Sequence, residues 1–317
     1  MIGKLSYAIA AATACLMAVP AQAGDFMVTL LGTASPAPRP DRSGPSILIE
    51  GGQKRVLIDA GRNAPVRLWQ AKVPIGSIDA TFITHFHSDH TSGLADLWLT
   101  GWIARPFGGR DAPMRVIGPV GTKALTDGLQ AAYDGDIQIR LVDEGNPPDG
   151  VKIETTEISE DGVIFDEGGL KVTAFATNHG ENIKPNYGVM AEYDGRKVVI
   201  SGDTTYDERI AENAKGADLL IHELGAAQPG LLEEDHAKRV IAHHTTPQQA
   251  GQIFAAASPR LAAYTHLVML SNPEYPELTL PEIVAQTRET YGGPLAVGED
   301  LMNFDIGPDG IATYIRD

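Results

Sequence analysis

A single cysteine, Cys15, occurs in 317 residues, so no disulfide framework holds this chain together. Basic side chains are also scarce. Against 41 Asp and Glu stand 25 Lys and Arg, a formal net charge of −16 at pH 7. Phosphate recognition rests on clustered Lys and Arg, so this balance argues against a nucleic acid partner. Aromatic residues make up only 6%, and internal repeats and low-complexity tracts are absent. The apolar run from Leu5 to Val19 falls short of the roughly 20 residues that a spanning helix needs. At 43% hydrophobic and 21% charged, the composition is that of a globular protein with ample chain for a sizeable core.

Met1 to Ala23 reads as a secretory leader, with Lys4 before the apolar run and Ala21-Gln22-Ala23 as a small-x-small cleavage site. Cleavage after Ala23 leaves residues 24–317 as one mature domain without cysteine. That domain is expected in the periplasm or outside the cell, with no stable membrane association. Cys15 is not read as a lipid-attachment site, because Ala12 stands where a large aliphatic residue is usual.

Short β-favouring runs separated by Gly, Pro and Asp dominate the chain beyond Ala23. They are Phe26 to Leu31, Ser46 to Glu50, Arg55 to Ile58, Ala80 to Thr84, Met114 to Ile117, Leu170 to Ala176, Gly188 to Tyr193, Lys197 to Ile200, Leu219 to Ile221 and Leu261 to Thr265. Helical signals are fewer. Thr246 suits an N-cap with Pro247 at the first helical position, and Pro281 opens a second helix closing at Gly292. Strands in two batches, with helices between and after them, predict two sheets covered by helices. The stretch from about Pro106 to Glu167, rich in Gly, Pro and Asp, is expected to be an irregular insertion near the site.

The chemistry is carried by Thr84-His85-Phe86-His87-Ser88-Asp89-His90, directly after an apolar strand. His85 and His87, two apart on an extended strand end, project to one side. Imidazole and carboxylate together suit zinc and similar divalent ions. His179, Asp203 and His266 each come directly after a β-favouring run, where loops gather functional side chains on a rigid frame.

With these motifs in place, the chain resembles the metallo-β-lactamase superfamily, and within it the branch of ribonuclease Z, metal-dependent arylsulfatases and related phosphodiesterases. The resemblance runs from Leu31-Gly32-Thr33 and Leu57-Ile58-Asp59-Ala60-Gly61 through the HxHxDH segment, SGDT (201–204), HTTPQQAG (244–251) and THL (265–267), to Gly298-Glu299-Asp300. It implies an α/β fold, an αββα sandwich of two mixed β-sheets flanked by helices. It implies two Zn²⁺ ions: His85, His87 and His179 on one, Asp89, His90 and His266 on the other, and Asp203 between them. Mn²⁺ or Fe²⁺ suits the same ligands. Two such ions roughly 3.5–4 Å apart can share a hydroxide at neutral pH, with Asp89 orienting it for attack. His244, paired with Glu223, takes the role of general acid by the same resemblance, with His243 as its rival. His222 and His236 are read as a core and a surface histidine.

The sequence therefore predicts a hydrolase of a small phosphodiester or aryl sulfate ester. Trp98, Trp102 and Phe107 are candidates either for walling an aryl pocket or for plain core packing. Carboxyl ester or lactone hydrolysis is the competing enzyme reading. A catalytically silent metal-binding or sensing module is the competing reading of another class. Ribonuclease Z carries a long basic arm between its third histidine motif and the bridging aspartate. The stretch between His179 and Asp203 is too short to hold one. A small-molecule ester is thus expected as partner and no transfer RNA, while a homodimer is left open.

Overall fold

Along most strands successive apolar side chains enter different cores, and this period of two builds the layers. The computed structural model describes residues 24–316, so the leader assignment, Cys15 included, lies outside the described residues. Fifteen strands are present among them: β1 (Phe26–Gly32), β2 (Ser46–Gly51), β3 (Lys54–Ile58), β4 (Ala80–Phe82), β5 (Met114–Pro119), β6 (Ile153–Ile158), β7 (Gly162–Glu167), β8 (Leu170–Ala176), β9 (Tyr187–Tyr193), β10 (Arg196–Ile200), β11 (Leu219–Ala226), β12 (Leu261–Met269), β13 (Leu295–Val297), β14 (Met302–Ile306) and β15 (Ile311–Ile315). They form an eight-stranded sheet in the order β15-β14-β1-β2-β3-β4-β5-β6 and a seven-stranded sheet in the order β13-β12-β11-β10-β9-β8-β7. Both are mixed. Pairing is parallel from β3 to β6 and from β10 to β13, and antiparallel elsewhere.

Val28 and Leu30, Ile47 and Ile49, and Val56 and Ile58 face inward, against Val172, Val189, Val198, Ile200, Leu219 and Ile221 of the opposite sheet. Their neighbours Leu31, Leu48 and Leu57 point outward and are covered by Leu68, Leu97 and Trp98 from the helices Ala64–Gln70 and Leu94–Trp102. On the second sheet Val199, Leu220, Ala262 and Tyr264 play that part, beneath the helices Glu208–Asn213, Pro247–Ala257 and Leu280–Thr287. This is an αββα sandwich, the metallo-β-lactamase fold.

Several boundaries differ from the sequence reading. The Pro106 to Glu167 stretch is not irregular. It supplies β5, β6 and β7 and the helices Thr122–Ala132 and Asp134–Ile139. The edge strand β6 gives no apolar signal because it is largely polar, Glu154 to Glu157 being two threonines between two glutamates. The helix at Pro281 begins after an N-cap at Thr279 and ends at Thr287, short of Gly292. The cap at Thr246 forms as expected, with a full capping box to Gln249. β11 and β12 extend well beyond the apolar stretches that announced them, to Ala226 and Met269, which bears on the site. No helix of the described residues is long and apolar enough to cross a membrane.

Trp98 and Trp102 are fully buried, and their indole N–H groups donate to the backbone oxygens of Val151 and Pro147 at 2.8 Å. They pack the core, whereas Phe107 is exposed and lies tilted against Trp69 with ring centroids 5.3 Å apart. Trp98→Ala is expected to cost about 3–5 kcal/mol of folding stability, through a cavity and an orphaned carbonyl. Urea denaturation measures this, and a loss below about 1 kcal/mol would show that the indole is not a core element.

Candidate metal centre

The C-terminal ends of β3, β4, β8 and β10 open on one rim of the sandwich, and the loops leaving them converge there. The chain leaves β4 at Phe82, two residues earlier than the sequence implies, because Thr84 is drawn aside. Its N–H and hydroxyl both bond the carboxylate of Asp59, at 2.8 and 2.9 Å. Asp59 comes directly after β3 and holds φ at 59°, an uncommon conformation for a non-glycine residue. Two residues on, Gly61 sits where a Cβ would lie 2.5 Å from the carbonyl oxygen of Asp89. Only glycine lets the motif segment pack so closely on the β3 loop.

His266 does not lie past a strand end, since β12 continues to Met269. Pairing with β11 slips by one residue between His222 and Leu224, so Thr265 and His266 together oppose Glu223. Such a bulge re-aims a side chain, and His266 adopts φ 44° within it. The paired strands β11 and β12 thereby deliver Glu223 and His266 together to the rim.

The donor atoms meet closely. His85, His87, His179 and Asp203 each offer one ligand atom within 4.8 Å of the others, and so do Asp89, His90 and His266. His85 Nε2 lies 2.9 Å and His179 Nε2 3.2 Å from His87 Nδ1. Asp203 Oδ2 lies 3.2 Å from both His90 Nε2 and His266 Nε2. All are buried except His87, which stands exposed at the mouth with Phe86 and Ser88.

The far nitrogen of each ring tests whether this set fits a metal. His179 Nδ1 faces the carbonyl oxygen of His243 at 2.8 Å, which only accepts, so that nitrogen carries the proton. Thr84 directs its hydroxyl proton to Asp59, so His85 Nδ1, 3.0 Å away, must donate to it. His90 Nδ1 donates to Asp59 Oδ2 at 2.7 Å. Three lone pairs at Nε2 are thus aimed inward by their own hydrogen bonds, as metal-binding imidazoles are. Burial holds His85 well below the usual histidine range, and the charge of His90 adds to this. Burial likewise lowers His179 to about 4. Around His90 burial also opposes the charged form, but Asp203 and Asp59 on either side outweigh it and raise its pKa well above the usual value. Neutral donors beside a carboxylate pair that demands positive charge fit a divalent cation, typically zinc. His266 Nδ1 is buried without a partner, so its far nitrogen, unlike those of the other three rings, has no hydrogen bond to set it.

Glu223 and His244 also meet. His244 Nδ1 lies 3.0 Å from Glu223 Oε2, and Glu223 Oε1 accepts from Thr245 N at 2.7 Å. The His244 ring stacks on His266 at 5.7 Å between centroids and stands 5.2 Å from His179. Burial would lower its pKa, yet the charge and hydrogen bond of Glu223 raise it overall. His243 turns its backbone carbonyl to the His179 ring, and its own exposed ring stands edge-on to His179 at 6.1 Å, farther than that of His244. His222 is buried against Phe254 and His236 is exposed, in line with their core and surface readings. Asp59 is the residue that sequence reasoning passed over as a mere part of a motif. Its place right after a strand end, the context shared by the other acidic and histidine residues, was the available signal.

The match to known proteins is broad. Residues 54–267 match the β-lactamase superfamily domain. Ribonuclease Z of Mycobacterium marinum is 30% identical over 290 residues, covering 88% of this chain and 98% of its own. Human tRNase Z, short form, superposes with a TM-score of 0.65 at 22% identity, over 89% of this chain and 99% of its own. A diphosphatase of the PhnP family gives 0.60 at 18%, over 89% and 98%. These relatives correct one expectation. The short His179 to Asp203 stretch and the acidic balance imply a small-molecule partner and no transfer RNA. That stretch is the plain β9–β10 hairpin, yet relatives named ribonuclease Z align through 98% of their length. The absence of an arm therefore does not set this chain apart from them, and net charge does not report a local surface.

Removing the carboxylate behind the ligands is expected to loosen the centre. Asp59→Ala should weaken zinc affinity about 10–100-fold, as loss of such outer partners does, measured by chelator competition. Unchanged affinity would mean that Asp59 does not orient His90.

Proposed function

The chain belongs to the β-lactamase superfamily and to its ribonuclease Z-like metal-dependent hydrolases, and from that premise we propose that it hydrolyses a phosphodiester with two divalent ions, zinc in the first place. The observation that carries this reading is the pairing of a seven-residue donor cluster with a Glu223–His244 dyad on the same rim. Relatives named ribonuclease Z support phosphodiesters over sulfate, carboxyl ester or lactone substrates. A silent binding module would have no use for the dyad.

Bound divalent ions supply Lewis acidity, which makes water a competent nucleophile near neutral pH and offsets charge building on phosphoryl oxygens. His85, His87 and His179 would hold one ion and Asp89, His90 and His266 the other, with the Asp203 carboxylate within reach of both sets. The Asp89 carboxylate, fixed 3.2 Å from His266 Nε2, accepts a hydrogen bond from the attacking water and orients it. His244 keeps Nδ1–H on Glu223, so a proton on Nε2 passes to the leaving oxygen as the phosphorus–oxygen bond breaks. Thr245 N holds the other Glu223 oxygen, so the dyad cannot rotate away. The leader-like Met1 to Ala23 supports a periplasmic or secreted location, and N-terminal sequencing of the exported protein should begin at Gly24.

Zinc-loaded protein is expected to turn over bis(p-nitrophenyl) phosphate, to lose that activity to chelator, and to contain two zinc ions per chain. His87→Ala and Asp203→Ala should abolish turnover and lower metal content, and normal activity in either would sink the two-ion arrangement. Turnover of a p-nitrophenyl carboxyl ester alone would transfer the assignment to esterase chemistry. His244→Ala should slow diesters with poor leaving groups by about 10²–10⁴-fold and p-nitrophenyl diesters far less. Equal losses for both would remove His244 as the acid.

A further inference from the structure

The donor cluster occupies one end of the sandwich, and a separate cleft opens at the other. Ile78 and Asp79 lead into β4 and Pro113 leads into β5, and all three line this cleft. It therefore lies where these parallel strands begin, away from the end at which His85 leaves β4. Its volume of about 450 Å³ is in the range of small-ligand sites. Arg105, Arg110 and Arg115 line it together, in a chain whose net charge is −16.

The carboxylates nearby do not cancel these three cations. Asp79 is taken by Lys54 Nζ at 3.0 Å and by the Arg55 N–H at 2.8 Å. Arg115 Nη1 is matched by Glu167 at 2.6 Å. Arg105 and Arg110 make no ion pair among the described residues, and only the exposed Asp111 remains in the lining to face them. The side chain of Arg105 lies over Gly109, where an added Cβ would stand 2.8 Å from Arg105 Cγ.

Arg110 is the stronger observation, because it is only 8% exposed. Its Nε and Nη2 donate to the carbonyl oxygens of Gly150 and Trp98, at 3.2 and 2.6 Å. Its Nη1 makes no hydrogen bond among the described residues. A Cβ on Gly101 would lie 2.5 Å from that nitrogen and 3.6 Å from Cα of Gly76, a residue of the cleft wall, so Nη1 stands beside that wall. Burial pushes the Arg110 pKa down to about 10, with no acidic neighbour to reverse it. The two carbonyls explain how the side chain is fixed, but a neutral donor would serve them equally. A buried cation without a counter-charge is costly, and an anion in the cleft would offset that cost.

We propose that this cleft binds a small phosphate-bearing anion, with Arg110 and Arg105 donating to its oxygens, at a site independent of the metal centre and of the hydrolase reading. A phosphate group carries about −1.5 to −2 at pH 7, which suits two unmatched guanidinium groups better than a single carboxylate charge does. Its several oxygens accept from both forks at once. Binding would also tie the loop that carries Arg105 and Arg110 to the helix Leu94–Trp102, through the Trp98 carbonyl.

Inorganic phosphate and glycerol 3-phosphate are the probes, with acetate as the carboxylate control and calorimetry on the zinc-loaded full chain as the readout. Phosphate should bind more tightly than acetate by about 10-fold or more, and Arg105→Ala should weaken it by a similar factor. Arg110→Met should abolish binding. Lys123→Ala, which alters an exposed lysine on another helix, should leave it unchanged. Phosphate should also raise the melting temperature of the wild-type chain, and far less that of Arg105→Ala. If Arg110→Met does not fold, Arg105→Ala decides, since that exposed side chain holds nothing in place. Tighter binding of glycerol 3-phosphate supports the site with a phosphate monoester as its ligand, and tighter binding of inorganic phosphate supports it with the free ion. Phosphate held by the metal ions instead would be indifferent to both arginine variants. That indifference, or equal binding of phosphate and acetate, overturns the site.

Discussion

The carboxylate of Asp203 is buried, and four histidine rings and a second carboxylate crowd around it. A charge in such a place must be paired, and each neighbour must present the right face. Much of the rim is arranged to meet that demand. Burial would raise the Asp203 pKa, but His266 and His90 reverse the balance and keep it ionised. The rings are in turn held by groups that have no part in the chemistry: Thr84 for His85, Asp59 for His90, and the His243 carbonyl for His179. A site of this kind is a set of fixed lone pairs, and the fold is the device that fixes them.

The frame takes its rigidity from plain hydrophobic burial. Each sheet is covered on both faces, so β1, β2, β3 and β10 carry buried apolar side chains on their outward as well as their inward faces. Loops leaving such strands start from positions that cannot drift. A few local devices then add precision: the left-handed Asp59, the close approach at Gly61, the bulge at His266 and the capping box at Thr246. A second knot lies farther out, where Asp300 accepts from Thr33, Ser43 and Arg67 and ties the β1–β2 loop to the rim. Function and stability here share residues, as the Glu223 carboxylate shows by binding both the His244 ring and the Thr245 backbone.

The two-residue spacing of His85 and His87, the strand-end context of His179 and Asp203, and the Thr246 cap were legible because each is a local pattern with a local cause. The polar edge strand β6 and the terminal strands β14 and β15 were not, because a partner strand, and not their own composition, makes them strands. Net charge misled in the same way. It sums over the whole surface, while a partner meets one face of it, and relatives named ribonuclease Z stand against the partner it implied.

What the sequence by itself determined is the chemistry available: which donors exist, that several lie just past strand ends, and that apolar periodicity demands two covered sheets. Those are consequences of residue type and short-range spacing. Only the tertiary structure decided which donors meet. Glu223 reaches His244 from 21 residues away, and His266 turns toward Asp89 across 177, because a bulge in β12 re-aims one strand against another. Such contacts depend on the register between strands distant in the chain, and register is set by the packing of the whole core, not by any segment within it.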